Sequence, residues 1–80
     1  MNELVLYYFD ECPFCKKVLR FLDNKDFNVK YRNIHAESKA YDDLIEIGGK
    51  SQVPCLVING KPLYESNDII SWFEENLRDM

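Results

Sequence analysis

The sequence contains no long apolar run, and this absence limits where the chain can function. No stretch approaches the roughly 20 residues with which a helix crosses a bilayer. The first residues, Met1-Asn2-Glu3, lack the basic start and the apolar stretch of a signal peptide. Internal repeats, low-complexity segments and linkers are also missing. We therefore expect residues 1–80 to form one cytoplasmic domain without a membrane partner.

Basic residues are scarce and scattered. Ten lysines and arginines stand against fourteen aspartates and glutamates, which gives a net charge of −4. Because a phosphate backbone is bound by a dense basic face, we expect no nucleic-acid partner. Aromatic residues make up 14% of the chain, and this content argues against intrinsic disorder.

Cysteine is also limited, to Cys12, Cys15 and Cys55. An odd number cannot close into a complete disulfide framework, and thiols in a reducing compartment mostly stay free. The cysteines are therefore expected to serve chemistry or core packing. Cys55 is interpreted mainly as a core residue, with a regulatory or glutathionylated thiol as the alternative.

The spacing of apolar residues predicts a strand followed by a helix. Residues 4–9 form an apolar run that is too short for an ordinary helix and rich in β formers, so they predict a strand covered on both faces. The spacing then changes to that of a helical stripe, and Pro13 suits the first helical position. The stripe consists of Cys15, Val18, Leu19 and Leu22.

The rest of the chain adds three strands and two helices. Residues 28–34 alternate like an edge strand, and Ser38 can cap a helix that Gly48-Gly49 ends. Residues 53–58 predict a strand, and Asn59-Gly60 predicts a hairpin to residues 61–64. A last helix is expected over about residues 67–77, with Ser66 as its cap. The residues expected to face inward are Tyr41, Leu44 and Ile45 on the second helix, and Ile69, Ile70, Phe73 and Leu77 on the third.

The predicted element order is therefore βαβαββα. Two strands separated by a helix are expected to be parallel neighbours joined by a right-handed crossover, and the hairpin adds antiparallel strands. This order predicts an α/β fold, a four-stranded mixed sheet with three helices on its two faces.

The segment Cys12-Pro13-Phe14-Cys15 lies where a buried strand gives way to a helix. Free N–H groups and the helix dipole at such a start stabilise an anion. In such motifs the pKa of a cysteine falls from about 8.5 to about 3.5–7.5. We therefore expect Cys12 to be the exposed nucleophile and Cys15, one turn later in the apolar stripe, to be partly buried. Nearby lysines, Lys16 and Lys17, favour the thiolate, whereas the acidic pair Asp10-Glu11 disfavours it.

Two other interpretations of the cysteine pair stay open. A zinc site needs further ligands, but only Cys55 and His35 are left and they have no ligand spacing, so no metal is expected. An inert pair of core cysteines is the second alternative. Redox chemistry is favoured, because such a pair beside a βαβ pattern is typical of thioredoxin-like proteins.

Three separated motifs together resemble a glutaredoxin, and the resemblance extends over essentially the whole chain. The segment Leu63-Tyr64-Glu65-Ser66-Asn67-Asp68-Ile69 is more similar to the amino-terminal domain of glutathione transferases, which share the fold. The three motifs are Cys12-Pro13-Phe14-Cys15 after a strand, Val53-Pro54 opening a later strand, and Asn59-Gly60 leading to Glu65-Ser66-Asn67-Asp68.

The resemblance implies a glutathione site. It implies that Pro54 is cis and that the Val53 backbone pairs with the cysteinyl part of glutathione as an added strand would. It also implies that Ser66 and Asn67 hold the γ-glutamyl carboxylate, an anion that a helix N-terminus favours. The intervening pair Pro13-Phe14 is expected at this site as well.

The sequence departs from the glutaredoxin pattern at several site positions. Phe14 stands where many dithiol glutaredoxins have tyrosine, and Gln52 stands where threonine is common. Phe9 replaces a lysine that assists the glycine carboxylate of glutathione. Lys50 and Gln52 are the candidates to replace that lysine.

The resemblance implies a glutathione-dependent thiol-disulfide oxidoreductase, which we expect to be a monomer. Glutathione would be its co-substrate, and its partners would be disulfide-containing or glutathionylated proteins. Two alternatives stay open. One is a non-enzymatic glutathione-binding or regulatory module of the transferase N-terminal type. The other is a 2Fe–2S cluster held by Cys12 from two subunits and two glutathiones.

Overall fold

The computed structural model describes residues 3–23, 25 and 27–76, and its elements follow the expected order. The strands are β1 (Leu4–Tyr8), β2 (Val29–Asn33), β3 (Cys55–Ile58) and β4 (Lys61–Tyr64). The helices are α1 (Pro13–Leu22), α2 (Ser38–Gly48) and α3 (Ser66–Asn76). In this part of the chain, no helix has the length and apolar character needed to span a membrane.

The four strands form one mixed sheet in the order β2-β1-β3-β4. β1 pairs parallel with β2 and antiparallel with β3, and β3 and β4 form the hairpin. The parallel pair needs a crossover connection, which α1 supplies. The predicted thioredoxin-like arrangement of four strands and three helices is confirmed.

Two apolar clusters cover opposite faces of the sheet. The alternation of side chains along β1 directs Leu6 into one cluster and Tyr7 into the other, so β1 is covered on both faces as predicted. Burying a side chain as large as Leu6 stabilises the fold by about 2 kcal/mol. The cluster under α1 and α3 contains Leu4, Leu6, Val18, Leu22, Leu56, Ile69 and Phe73. The cluster under α2 contains Tyr7, Ile34, Ala40, Leu44, Cys55 and Val57.

Two helix starts differ from the prediction. Ser38 and Ser66 are the first residues of their helices rather than the caps. Glu37 precedes α2 and makes no capping hydrogen bond with its side chain. The carbonyl of Glu65 accepts the N–H of Ile69 at 3.0 Å and so begins the hydrogen bonding of α3. Ser66, which follows Glu65, is buried.

Smaller differences have similar causes. Tyr41 was expected to face inward but is 43% exposed, because α2 turns Ala40 and Leu44 toward the sheet. The third strand begins at Cys55 instead of residue 53, since Pro54 has no N–H for a strand pair. The predicted inward position of Leu77 lies outside the described residues.

Candidate active site

Cys12 is the N-cap residue of α1, and Pro13 follows as its first residue. The backbone of Cys12 is extended, and its Sγ accepts the N–H of Cys15 at 3.4 Å. The N–H of Cys12 donates to the carbonyl of Phe9 at 3.3 Å, which tightens the turn after β1. An N-cap acceptor is normally an oxygen. Here a sulfur takes that place, so an N–H donor and the positive end of the helix dipole both point at Cys12 Sγ.

Cys12 is buried, and the expectation of an exposed nucleophile was wrong. Its exposed fraction is 7%, and that of Cys15 is 0%. The capping geometry explains the difference, because it folds Sγ of Cys12 back over the first turn. Cys12 is still the more accessible of the two, as expected. Phe14 between them is 64% exposed and forms an apolar surface beside the thiols.

The environment of Cys15 keeps this thiol protonated. Burial is the main cause that raises the pKa of Cys15 to about 12, and the interaction with Cys12 adds to it against an opposing backbone hydrogen bond at Phe9. A neutral Cys15 thiol can donate its proton toward a Cys12 thiolate. Both are free thiols. Of the two sulfurs, Cys12 is therefore the one suited to attack first.

A groove lies beside the cysteines, where three separate segments meet. It has a volume of about 340 Å³ and joins the start of α1, the turn before β3 and the start of α3. The peptide bond between Val53 and Pro54 is cis, as the resemblance implied. Five predicted site residues line this groove together with Glu65, and they are Phe14, Gln52, Val53, Pro54 and Ser66.

The other predicted binding residues, Pro13, Lys50 and Asn67, are not among those that line this groove. Asn67 accepts a hydrogen bond from Nζ of Lys17 at 2.5 Å, which connects α3 to α1. The Nζ of Lys50 lies 4.2 Å from the ring centroid of Tyr64. Pro13 lines a second groove, between α1 and α3. Of the two candidates for the missing lysine, Gln52 lines the first groove and Lys50 does not.

Glu65 is a site residue that the sequence analysis did not assign. Its backbone is left-handed, with φ of 72°, which costs a residue other than glycine roughly 1–3 kcal/mol. Its Oε1 accepts a hydrogen bond from Nε2 of Gln52 at 3.3 Å, between two walls of the groove. The available signal was its position directly before Ser66, which was expected to cap the last helix.

A buried polar contact lies under the other face of the sheet. Cys55 is fully buried, in agreement with a packing role, and burial raises its pKa to about 11. The thiol interacts with the phenol of Tyr64. The phenol oxygen is buried without an oxygen or nitrogen partner among the described residues. It packs against Gly48, where no room is left for a side chain.

The acidic turn before Cys12 is attached to the loop after β2. The imidazole of His35 stacks on Phe9 with ring centroids 4.2 Å apart, and its Nδ1 lies 4.0 Å from Oε1 of Glu11. Asn33 donates to Asp10 at 3.3 Å. In residues 3–23, 25 and 27–76, no three histidine, cysteine or acidic side chains come together as a metal-ligand set.

The fold and this site define a thioredoxin-like domain with a dithiol motif at the start of its first helix. Comparison with known families agrees. The family of the glutathione S-transferase N-terminal domain matches residues 6–79. Glutaredoxin 1 of Salmonella typhimurium is 32% identical, over 82% of this chain and 84% of that protein. The chain belongs to the family that comprises glutaredoxins and the N-terminal domains of glutathione transferases.

Solved structures of both branches superpose on the chain. Glutathione transferase Omega 3C from Trametes versicolor has a TM-score of 0.81 at 28% identity, covering 95% of this chain and 34% of the transferase. The glutaredoxin of Archaeoglobus fulgidus has a TM-score of 0.72 at 24% identity, covering 91% of this chain and 87% of that protein. The chain thus spans about a third of the transferase and most of the glutaredoxin.

Proposed function

We propose that the chain is a glutathione-dependent thiol-disulfide oxidoreductase that reduces protein–glutathione mixed disulfides and protein disulfides. The observation that carries this proposal is the position of Cys12 Sγ, which accepts the Cys15 N–H at the helix start. The identity with a glutaredoxin supports the same reaction class.

Glutathione is proposed to bind in the groove beside Phe14 and Val53. An extended peptide can pair with the free backbone groups of Val53 as an added strand would. The γ-glutamyl carboxylate would lie at the start of α3, near Ser66 and Asn67, where N–H groups point out of the helix. Lys17 adds a positive charge there through its contact with Asn67. Gln52 is the proposed partner of the glycine carboxylate.

Reduction of a mixed disulfide needs only Cys12. Its thiolate attacks the glutathione sulfur, the new Cys12–glutathione disulfide forms, and the protein leaves as a thiolate that takes up a proton. A second glutathione, as its thiolate, then attacks the glutathione sulfur of this intermediate. Oxidised glutathione forms, and the Cys12 thiolate is released.

Reduction of a protein disulfide also uses Cys15. The Cys12 thiolate attacks one substrate sulfur and expels the other as a thiolate, which takes up a proton. Cys15 loses its proton and attacks Cys12, which forms the Cys12–Cys15 disulfide and frees the substrate. Two glutathiones reduce this disulfide and leave as oxidised glutathione. Because the pKa of Cys15 is high, it resolves the intermediate only after Cys12 has reacted.

Replacing each cysteine separately tests these roles. Cys12→Ser should abolish turnover of a glutathionylated peptide and of a protein disulfide. Cys15→Ser should retain the first activity and lose the second. The rates are measured by coupling the formation of oxidised glutathione to its reductase. Loss of both activities in Cys15→Ser, with its fold intact, would contradict the proposal.

The match to the transferase N-terminal domain supports a second candidate, a module that binds glutathione without turnover. The left-handed Glu65 before α3 is the structural observation that favours it. Saturable glutathione binding with no turnover of either substrate would support the binding module and contradict the oxidoreductase.

A further inference from the structure

We propose that the groove between α1 and α3 binds an acidic, partly apolar segment of the proteins that this chain reduces. The proposal rests on the oxidoreductase function, because it specifies which protein disulfides are preferred.

The groove lies next to the proposed glutathione site, with which it shares Lys17, and it adjoins the reacting cysteine. It has a volume of about 500 Å³. Pro13, directly after Cys12, lies at its edge, so a chain held in the groove can present a neighbouring cysteine to Cys12. Apolar lining comes from Phe21 and Ile70, and the lining is completed by Lys16, Lys17 and Arg20.

The charged side chains of this groove all have one sign. Lys16, Lys17 and Arg20 are exposed on α1, in a chain whose net charge is −4. Within the described part of the chain, none of the three forms an ion pair with a carboxylate. Nζ of Lys25 lies 4.6 Å from the ring centroid of Phe21 and extends the positive charge. An acidic segment with apolar side chains therefore complements this surface in both charge and polarity.

The charges on the two sides of Cys12 predict the orientation of a bound substrate. Asp10 and Glu11 are exposed on the turn before α1, whereas the cations of the groove follow Cys12. A substrate that crosses Cys12 should therefore place its acidic residues on the α1–α3 side. Beside Cys12, a basic segment would find complementary charge at the turn of Asp10 and Glu11 instead.

Two glutathionylated peptides test this preference. They share one cysteine and its apolar neighbours, and they differ only in carrying glutamates or lysines beside it. A glutathionylated cysteine amide, too small to reach the groove, serves as the reference substrate. We expect kcat/KM to favour the acidic peptide by about three- to tenfold, and the ratio to shrink as salt screens the charges.

Arg20→Glu should lower the acidic-to-basic ratio of kcat/KM by about threefold or more, and Arg20→Gln should give an intermediate ratio. Turnover of the reference substrate should be unchanged in both variants. The matched control is Lys61→Glu, which makes the same change of charge. Lys61 pairs with Ile58, itself opposite Leu4, at the end of the sheet away from Cys12. This control should keep the ratio of the unmodified protein.

Failure of this proposal is distinguishable from failure of the proposed function. A ratio near one, a preference for the basic peptide, or equal effects of Arg20→Glu and Lys61→Glu would overturn the groove proposal while the reference is still turned over. If the reference is not turned over, the oxidoreductase function fails instead. The groove is then tested by NMR titration with a cysteine-free acidic peptide. Shifts of the Lys16, Arg20 and Ile70 amides support it, and unchanged amides overturn it.

Discussion

The N–H of Cys15 donates a hydrogen bond to Sγ of Cys12, so the side chain of Cys12 caps α1. This arrangement separates the two thiols chemically. Cys12 receives a donor at the positive end of α1, whereas burial holds the pKa of Cys15 at about 12. A third thiol, Cys55, is fully buried, and burial raises its pKa to about 11.

This difference predicts selective alkylation. Iodoacetamide at neutral pH should modify Cys12 in the folded protein and leave Cys15 and Cys55 unmodified, because a thiolate is the reacting form. Peptide mass spectrometry identifies the site, and all three cysteines should react after unfolding. Equal modification of Cys12 and Cys15 in the folded protein would contradict the separation of their roles.

Much of the fold could be predicted because its signals are local. The spacing of apolar residues predicted the order of strands and helices, and the pair Asn59-Gly60 predicted the hairpin. Both signals lie in residues close together in the chain, and both predictions were confirmed. The exposure of Cys12 was predicted wrongly, because it depends on how the N-cap side chain folds over the helix. The left-handed backbone of Glu65 was not foreseen, since a glutamate carries no signal for it. The spacing of apolar residues specifies neither of these properties.

The contact between Gly48 and Tyr64 predicts a coupled pair of substitutions. Gly48→Ala should lower the free energy of unfolding by about 1–3 kcal/mol, although alanine favours helices by about 1 kcal/mol. The added methyl group would overlap the phenol oxygen of Tyr64. Denaturant unfolding measures the change.

Tyr64→Phe is the second substitution of this coupled pair, and the two together form a double-mutant cycle. Alone it should change stability little, because the hydroxyl it removes is buried without an oxygen or nitrogen partner in the described part of the chain. Combined with Gly48→Ala it should restore part of the loss. The rescue is incomplete because ring carbon Cζ still lies 3.0 Å from the added methyl group. Strictly additive effects would show that the two residues are not in contact.

The ion pair between β2 and α2 predicts an acid-dependent contribution to stability. Nη1 of Arg32 lies 2.6 Å from Oδ2 of Asp43, and this pair holds the pKa of Asp43 below its usual range. A carboxyl with a lower pKa in the folded state stabilises that state above its unfolded pKa of about 4. The contribution is lost as pH falls through the lower, folded pKa.

Asp43→Asn should therefore be less stable than the unmodified protein at neutral pH, and the difference should shrink as the pH falls below about 4. Urea midpoints measured across this range provide the test. Asp42→Asn removes the same charge from the neighbouring position, which forms no ion pair in the described structure. It should leave the neutral midpoint nearly unchanged. A constant difference between Asp43→Asn and the unmodified protein down to the lowest pH would exclude the ion pair as its cause.

The left-handed Glu65 predicts a conflict between stability and glutathione binding. Glycine adopts a positive φ without strain, so Glu65→Gly should raise the free energy of unfolding by about 1 kcal/mol. The same change removes the hydrogen bond to Gln52 at the groove, and the KM for glutathione should rise. Gln52→Ala breaks that bond without changing the backbone of residue 65, so it should raise the KM with no gain in stability. Thermal unfolding and steady-state kinetics on both variants separate the two effects. If Glu65→Gly gains stability at an unchanged KM, the carboxylate has no part in binding and the left-handed turn alone accounts for the residue.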